Sequence, residues 1–421
     1  MKRLINMSDQ DSSVKHPFPL NVFKWFLLAL STVYGAVVSI RLWLYRKNIL
    51  KSRKVPCFVI SIGNVVAGGS GKTPMAIYVA EMVKSMGFNP VVVSRGYGGK
   101  VEKKKYGGRK NGCVTTLEGC AVAGDGESVF CGPEIVGDEP FMMASRRLFP
   151  VVIGRDRFKA AMMALDLFHG KSKNIDVIIL DDGFQHIQLK RDLDILLMDY
   201  SRPFGNGCLL PAGRLRESPN KAIERADIVI FTRYSDDDSG SSRYLGSSGN
   251  NYRDNIFSSC ISSHKNPGSI FFTRHRPFLH CFLKQDKPYL GIIEDLKGRK
   301  GCLFSGIADN RSFRKTVENL GVSVKAHLEF NDHHMYKCEE ISMIVEAYQK
   351  SGADLMLTTE KDYARLGYVD DSCESISILD AGIVKKTWSM EFAVIGIEID
   401  VLDKKDELQT IMRKYIECKK K

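Results

Sequence analysis

The chain has no C-x-x-C pair, and its 11 cysteines are odd in number and scattered. That spacing excludes a zinc knuckle or a disulfide framework and suits isolated thiols in a reducing compartment. No RNA-binding signature or repeated basic-aromatic stripe occurs, so nucleic acid is not an expected partner in spite of a net charge of +12. Also missing is an Asn-Lys-x-Asp guanine-reading element, which counts against a GTPase-like switch. No small-residue cleavage site follows the apolar N-terminal stretch, which argues against a cleaved signal sequence. Residues 1–17 mix Lys2, Arg3 and Lys15 with Asp9 and Asp11 and so make a poor amphipathic presequence. What remains is a globular chain of 421 residues, 44% hydrophobic and 26% charged, long enough for two domains. Its positive excess suits nucleotide phosphates or an acidic membrane surface.

Trp25 to Ile40 carries no charge. Arg41, Arg46, Lys47, Lys51, Arg53 and Lys54 follow it with no acidic residue between them. Sixteen residues rise about 24 Å as a helix, short of a hydrocarbon core of ~30 Å, so the pattern predicts an interfacial or shallowly inserted helix. Trp25, Tyr34, Trp43 and Tyr45 are anchors for headgroup depth, and the basic cluster favours anionic lipid.

The most informative stretch is Gly68-Gly69-Ser70-Gly71-Lys72-Thr73-Pro74, set between the β-branched run Phe58 to Ile62 and the apolar-periodic segment Met75 to Met86. Glycines let successive backbone N–H groups face one anion, and the helix N-terminus adds its positive dipole end. Lys72 is placed to reach the β/γ-phosphates and Thr73 to offer its hydroxyl to Mg²⁺. Val66 stands where the G-x-x-x-x-G-K-[ST] pattern asks for glycine, so the loop is a variant.

Short apolar runs recur at Pro90 to Val93, Val151 to Ile153, Asp176 to Leu180, Asp194 to Met198 and Ile228 to Phe231, with helical stretches such as Phe158 to Phe168 between them. They predict a doubly wound parallel sheet whose ligands sit beyond the strand carboxyl ends. Carboxylate pairs stand at such ends: Asp181-Asp182 and Asp138-Glu139. Either pair suits a Mg²⁺ site, and an acid before a helix also suits an N-cap, a reading that applies to Asp138 in particular. Arg95, Arg155 and Arg214 with Arg216 lie on glycine-bearing loops and point to a substrate that is itself phosphorylated.

Taken in order, Gly68 to Pro74, Ser94-Arg95-Gly96-Tyr97-Gly98, Gly137-Asp138-Glu139-Pro140, Asp181-Asp182-Gly183-Phe184-Gln185-His186 and Leu210 to Glu217 closely resemble the tetraacyldisaccharide 4'-kinase family of lipid A biosynthesis. Phe330 to His334 and Leu357 to Asp362 extend the likeness to roughly residues 20–400. The resemblance implies a phosphotransferase that uses ATP and Mg²⁺ to phosphorylate the 4'-hydroxyl of an acylated glucosamine disaccharide 1-phosphate at a membrane surface. It implies an α/β fold: a P-loop lobe with a doubly wound parallel sheet, a second smaller α/β/α lobe, and an N-terminal membrane-associated helix. Residue by residue it makes Asp138 the base and His333 its partner, with His334 as the alternative, and Lys72 the phosphate-binding lysine. Gly68, Gly69, Ser70, Gly71, Lys72 and Thr73 would cradle the nucleotide. Thr73, Glu139, Asp181 and Asp182 would handle the metal, and Arg95, Tyr97, Arg155, Gln185 and His186 would line the cleft.

The expected layout is a variable N-terminus over 1–17, the helix over 18–50, the ATP-binding lobe over 51–234, a Ser/Asp-rich insertion and linker over 235–289, and the second lobe over 290–421. Lys100 to Arg109 reads as a loop beside the cleft, Phe271 to Arg274 as a linker strand, and Lys419 to Lys421 as a solvated tail. The turn Thr359 to Asp362 reads as a helix cap. A monomer is expected, on a mitochondrial membrane in a eukaryote or the cytoplasmic face of the inner membrane in a bacterium. The competing readings are a nucleotide-dependent membrane switch and a non-catalytic scaffold.

Overall fold

The computed structural model describes residues 18–68, 71–99, 119–168, 174–234, 267–284, 291–366, 390–402 and 404–420, with the short pieces 109–110, 113–114, 116–117, 170, 264 and 287–288. Residues 1–17, Gly69, Ser70, most of the Lys100 to Arg109 loop and most of the 235–266 insertion lie outside the described residues. Two compact units are interleaved along the chain. The first is built from Met1–Arg95, Asp156–His275 and Ile399–Lys421, the second from Gly96–Arg155 and Arg276–Glu398. They cut across the linear segments 51–234 and 290–421, since 96–155 groups with the later unit and 399–421 with the earlier one.

In the first unit the strand Phe58–Asn64 is central and buried along its whole length. Val177–Leu180 and Leu193–Asp199 flank it, both parallel. Pro90–Ser94 lies parallel beyond Val177–Leu180, and Ile228–Thr232 beyond Leu193–Asp199. The first residues of the long strand Ile270–Lys284 pair parallel with Ile228–Thr232. Continuously apolar strands buried on both faces belong in such a sheet. The helix Arg157–Phe168 matches the apolar-periodic stretch Phe158 to Phe168 within one residue, and the helix Lys72–Ser85 begins three residues before the stretch Met75 to Met86.

The N-terminal helix runs over Phe18–Arg46, 29 residues within the span 18–50 expected for it. Lys24 and Arg41 do not end it, because long charged side chains are good helix formers. Phe23–Arg46 is long and apolar enough to cross a membrane, by length and composition. Of the lysines read as a solvated tail, Lys419 is engaged, and Lys421 lies outside the described residues. The helix Lys405–Lys420 buries Leu408, Met412 and Ile416 at four-residue spacing, and Lys419 Nζ bonds the Asp192 carboxylate and the Cys57 carbonyl.

In the second unit Lys300–Ser305 is flanked by Ser323–Glu329 and Leu355–Thr359, both parallel, and Leu355–Thr359 pairs parallel with Glu391–Leu402. The helices Asn310–Asn319, Cys338–Ser351 and Glu360–Leu366 alternate with these strands. Phe313 and Val317 of the first of these helices pack with Leu303, Val322 and Leu355. The strand Pro150–Gly154 belongs to this unit and pairs antiparallel with Cys120–Asp125. Cys57, Cys120, Cys131, Cys208, Cys281, Cys302 and Cys418 are free thiols, whereas Cys338 is disulfide-bonded.

Candidate active site

The site residues fall into two groups, one in each unit. In the first, Gly71 caps the helix Lys72–Ser85 at φ 75° and Gly68 sits at φ 134°, conformations that L side chains rarely adopt. A Cβ on Gly71 would also lie 2.7 Å from His275 Nε2. Thr73 is buried in the first helical turn. Lys72 Nζ rests 3.2 Å from the Gly68 carbonyl, 3.4 Å from Asn64 Oδ1 and 3.7 Å from Asp182 Oδ1, three long contacts that a phosphate oxygen would readily replace.

Asp182 adopts φ 50°, an uncommon backbone state for a residue with a side chain and one that concentrates at functional positions. Its carboxylate accepts from Arg216 Nη1 at 3.0 and 3.2 Å. Asp181 points the other way: it is buried, accepts from Ser94 Oγ at 3.0 Å, and its carbonyl accepts from Arg157 Nη2 at 3.2 Å. Gln185 donates to the Asn64 carbonyl at 2.7 Å and to Glu217 at 3.2 Å, and accepts from Arg216 at 3.2 Å. Burial, helped by the Arg157 charge, pushes the His186 imidazole down to about 4. Arg95 is exposed at the end of Pro90–Ser94.

In the second unit Asp138 opens the helix Asp138–Ser145. Its Oδ2 lies 2.7 Å from His333 Nδ1 and 2.8 Å from Arg365 Nη2, so the carboxylate is directed to these two partners. Burial alone would raise its pKa, but the His333 hydrogen bond and the charge and hydrogen bond of Arg365 outweigh it and hold the carboxyl at about 2. Gly137 before it has φ 87°, and a Cβ there would lie 2.4 Å from the Tyr97 carbonyl, so only glycine fits.

His333 itself adopts φ 63° and lies with its ring centroid 6.2 Å from that of the exposed Tyr97. His334 is turned elsewhere, 2.9 Å from Glu340 Oε2 and stacked on Phe330. The geometry therefore pairs His333, not His334, with Asp138.

Arg365 was not read from the sequence, and neither was Arg146. Arg365 is fully enclosed and donates to Asp138, to Asp362 Oδ1 at 2.9 Å and to the Gly306 carbonyl at 2.7 Å. Arg146 forms a bidentate pair with Glu360 at 2.7 Å on both oxygens. The helices Asp138–Ser145 and Glu360–Leu366 are thus clasped at both ends, each by an arginine from one and a carboxylate from the other. Thr359 caps the second helix by accepting the Asp362 N–H at 3.1 Å, as its motif suggested. Glu139 has Lys361 at 3.9 Å, and Arg155 is exposed after Pro150–Gly154.

A family model described as tetraacyldisaccharide-1-P 4'-kinase, LpxK, matches residues 23–390. The chain belongs to this family. Among relatives, the tetraacyldisaccharide 4'-kinase of Desulfatibacillum aliphaticivorans is 38% identical over 81% of this chain and 83% of its own length. That of Halothermothrix orenii is 32% identical over 93% and 92%. The fold agrees with the crystal structure of Aquifex aeolicus LpxK in complex with ATP, at a TM-score of 0.61 and 27% identity over 94% of this chain and 99% of that one.

Among the described residues no set of three or more His, Cys, Asp or Glu side chains converges as a metal cage. The donor set still fits Mg²⁺, which keeps several waters and is held by one or two carboxylates together with substrate phosphates. Thr73 and Asp182 beside Lys72 supply donors of that kind.

Proposed function

We propose that this chain transfers the γ-phosphate of ATP to the 4'-hydroxyl of an acylated glucosamine disaccharide 1-phosphate, with Asp138 as the group that takes the hydroxyl proton. The single observation that carries the assignment is the arrangement at Asp138: both close partners engage Oδ2, which leaves Oδ1 for the acceptor hydroxyl.

A carboxyl held at about 2 is ionised throughout the working range and is a weak base. It orients the hydroxyl by accepting its hydrogen bond and takes the proton late, once the attacking oxygen has begun to bond to phosphorus. Phosphoryl transfer tolerates this, because positioning and charge neutralisation supply most of the acceleration. The His333 Nδ1–H holds the carboxylate in register, and the Arg365 charge keeps it anionic. On the nucleotide side, the backbone N–H groups of Gly68 to Gly71 and the Lys72 ammonium bind the phosphates. When Mg²⁺ is bound, held by Thr73 and Asp182, with Asp181 and Glu139 as further candidates, it supplies charge neutralisation on the phosphate oxygens. Arg95, Arg155 and Tyr97 are exposed enough to meet the acceptor and its 1-phosphate, whereas Gln185 and His186 are engaged in or buried beside the Asp182 network and act on the nucleotide side.

The apolar N-terminal helix supports work at a membrane surface, where the acyl chains of the substrate would reside. The membrane is the inner one at its cytoplasmic face in a bacterium, or a mitochondrial one in a eukaryote, and the working unit is a monomer. Transfer of labelled γ-phosphate from ATP to the acylated disaccharide 1-phosphate in detergent tests the assignment. Transfer by the native chain and its loss in Asp138→Ala are expected; undiminished transfer in Asp138→Ala would refute the role of that carboxylate.

A further inference from the structure

Within the first unit the loop Cys208–Arg216 is gripped from two sides. On one side it is tied to the limb that leads into the phosphate loop. The Arg216 N–H donates to the Val65 carbonyl at 2.7 Å, the Ala67 N–H donates to the Arg214 carbonyl at 2.8 Å, and Leu215 bridges Val66. Gly68 follows directly.

On the other side the loop is tied to the N-terminal helix. The buried Ser31 hydroxyl lies 2.9 Å from the Leu209 carbonyl and accepts the Ala212 N–H at 3.0 Å. The Tyr34 hydroxyl donates to the Arg216 carbonyl at 3.0 Å. A Cβ on Gly35 would lie 2.6 Å from Leu209 Cδ1, so the helix approaches the loop as closely as a glycine permits.

Arg216 gathers these ties. Its backbone joins Tyr34 to Val65, while its guanidinium holds Asp182 and Gln185, and Asp182 stands 3.7 Å from Lys72 Nζ. The membrane-type helix is therefore connected by three consecutive polar contacts, Tyr34 to Arg216, Arg216 to Asp182 and Asp182 to Lys72, to the lysine of the phosphate loop. A side chain with only a lipid-facing purpose has no reason to reach a carbonyl of that loop.

We propose that Ser31 and Tyr34 are positioning residues for nucleotide binding: through the Cys208–Arg216 loop, the docked N-terminal helix sets the height of the phosphate-loop limb and the placement of the Arg216–Asp182 pair beside Lys72. This inference rests on the ATP-binding reading of that loop. It makes the affinity for nucleotide depend on whether the helix is seated, and it separates the two faces of the helix. Phe23, Phe26, Leu30, Val33, Val37 and Ile40, spaced three and four apart, are exposed on the face away from these contacts and have no part in it.

The test uses the full chain in detergent with Mg²⁺ and a fluorescent N-methylanthraniloyl-ATP, together with KM values for ATP and for the acylated disaccharide 1-phosphate. Removing one neutral hydrogen bond changes an equilibrium by roughly two- to tenfold. Tyr34→Phe and Ser31→Ala should each weaken analogue binding and raise the KM for ATP by about that factor, and the pair should do so by more, with the KM for the lipid acceptor steady. Val33→Ser, on the exposed face, should leave nucleotide affinity unchanged. Native affinity in the Ser31→Ala/Tyr34→Phe double variant, or an equal loss in Val33→Ser, would overturn the inference while leaving the ATP reading intact. A native chain that did not bind the analogue would overturn both.

Discussion

Replacing Arg365 by methionine tests how the second unit maintains its carboxylate. The guanidinium is fully enclosed and meets Asp138 at 2.8 Å, Asp362 at 2.9 Å and the Gly306 carbonyl at 2.7 Å. Asp362 keeps two other donors, the Gly306 N–H and the Thr359 hydroxyl, whereas Asp138 keeps only His333 among the contacts described above. The uncompensated charge therefore falls on Asp138. Removing one partner of a buried ion pair costs about 3–5 kcal/mol, and the remaining donors to Asp362 place this case at the lower end, ~3 kcal/mol. Two of the influences that hold the Asp138 carboxyl at about 2 also disappear, so it should titrate closer to the ordinary carboxylate range. Its orientation would rest on one bond instead of two, a loosening of the kind that costs on the order of 10²-fold in turnover. Arg365→Lys keeps the charge but cannot span all three acceptors, so stability should largely return while turnover stays depressed. Urea unfolding and γ-phosphate transfer measured side by side would check this. Native turnover in Arg365→Met, at whatever stability, would refute the idea that Arg365 positions Asp138.

Lys72→Ala should lower the transfer rate by at least about two orders of magnitude, as loss of a transition-state charge contact does, and single-turnover kinetics would reveal a rate left near native. His333→Ala should reduce kcat by on the order of 10²-fold, while His334→Ala, which loses the Glu340 bond and the ring contacts with Phe330 and Tyr336, should act on stability by about 1 kcal/mol and leave kcat within a few-fold; equal losses in both would contradict the pairing seen here. His186 and His275 are each pushed down to about 4, chiefly by burial. The unfolded chain binds those protons near 6.5, so stability is full above that pH and declines as pH falls toward 4. Urea melts from pH 4.5 to 7 should show this slope, and His186→Gln with His275→Gln should flatten it; an unchanged slope would place the acid sensitivity elsewhere.

How far the sequence could be read depended on how local each feature is. The phosphate loop depends on a few consecutive residues between a strand and a helix, and its environment appears in the structure around Gly71, Lys72 and Thr73. Strand positions were legible for the same reason, since burial on both faces leaves continuous apolar runs. Strand pairing was less so: the apolar run at Pro150–Gly154 does not reveal its antiparallel partner Cys120–Asp125, which was not read as a strand. The Asp138–His333 pair lies 195 residues apart, and only the family motif joined the two in advance; composition and periodicity carry no such information. Arg365 carried no signal of its own beyond being three residues after Asp362. A local rule for spotting it would be an arginine one helical turn past a Thr-Glu-Lys-Asp cap, because that spacing brings a guanidinium back onto the cap carboxylate. Lys419 was read as part of a solvated tail because the apolar residues that seat its helix, Leu408, Met412 and Ile416, lie upstream of the basic run.

The interleaving of the two units has a bearing on synthesis. The polypeptide passes from one unit to the other after Arg95, Arg155, His275 and Glu398. The nucleotide-binding unit is thus begun before Arg95 and completed only by the segment Ile399–Lys421, which holds the helix Lys405–Lys420. A nascent chain carries its phosphate loop long before the surrounding sheet and helix layer can be completed, which waits for Ile399–Lys421. Neither unit can be moved as a cassette by a single gene fusion, nor released by cutting one linker. A stop codon a few dozen residues early would remove the closing helix of the unit that was started first, so even short C-terminal truncations should yield chains that the cell's proteases treat as unfinished.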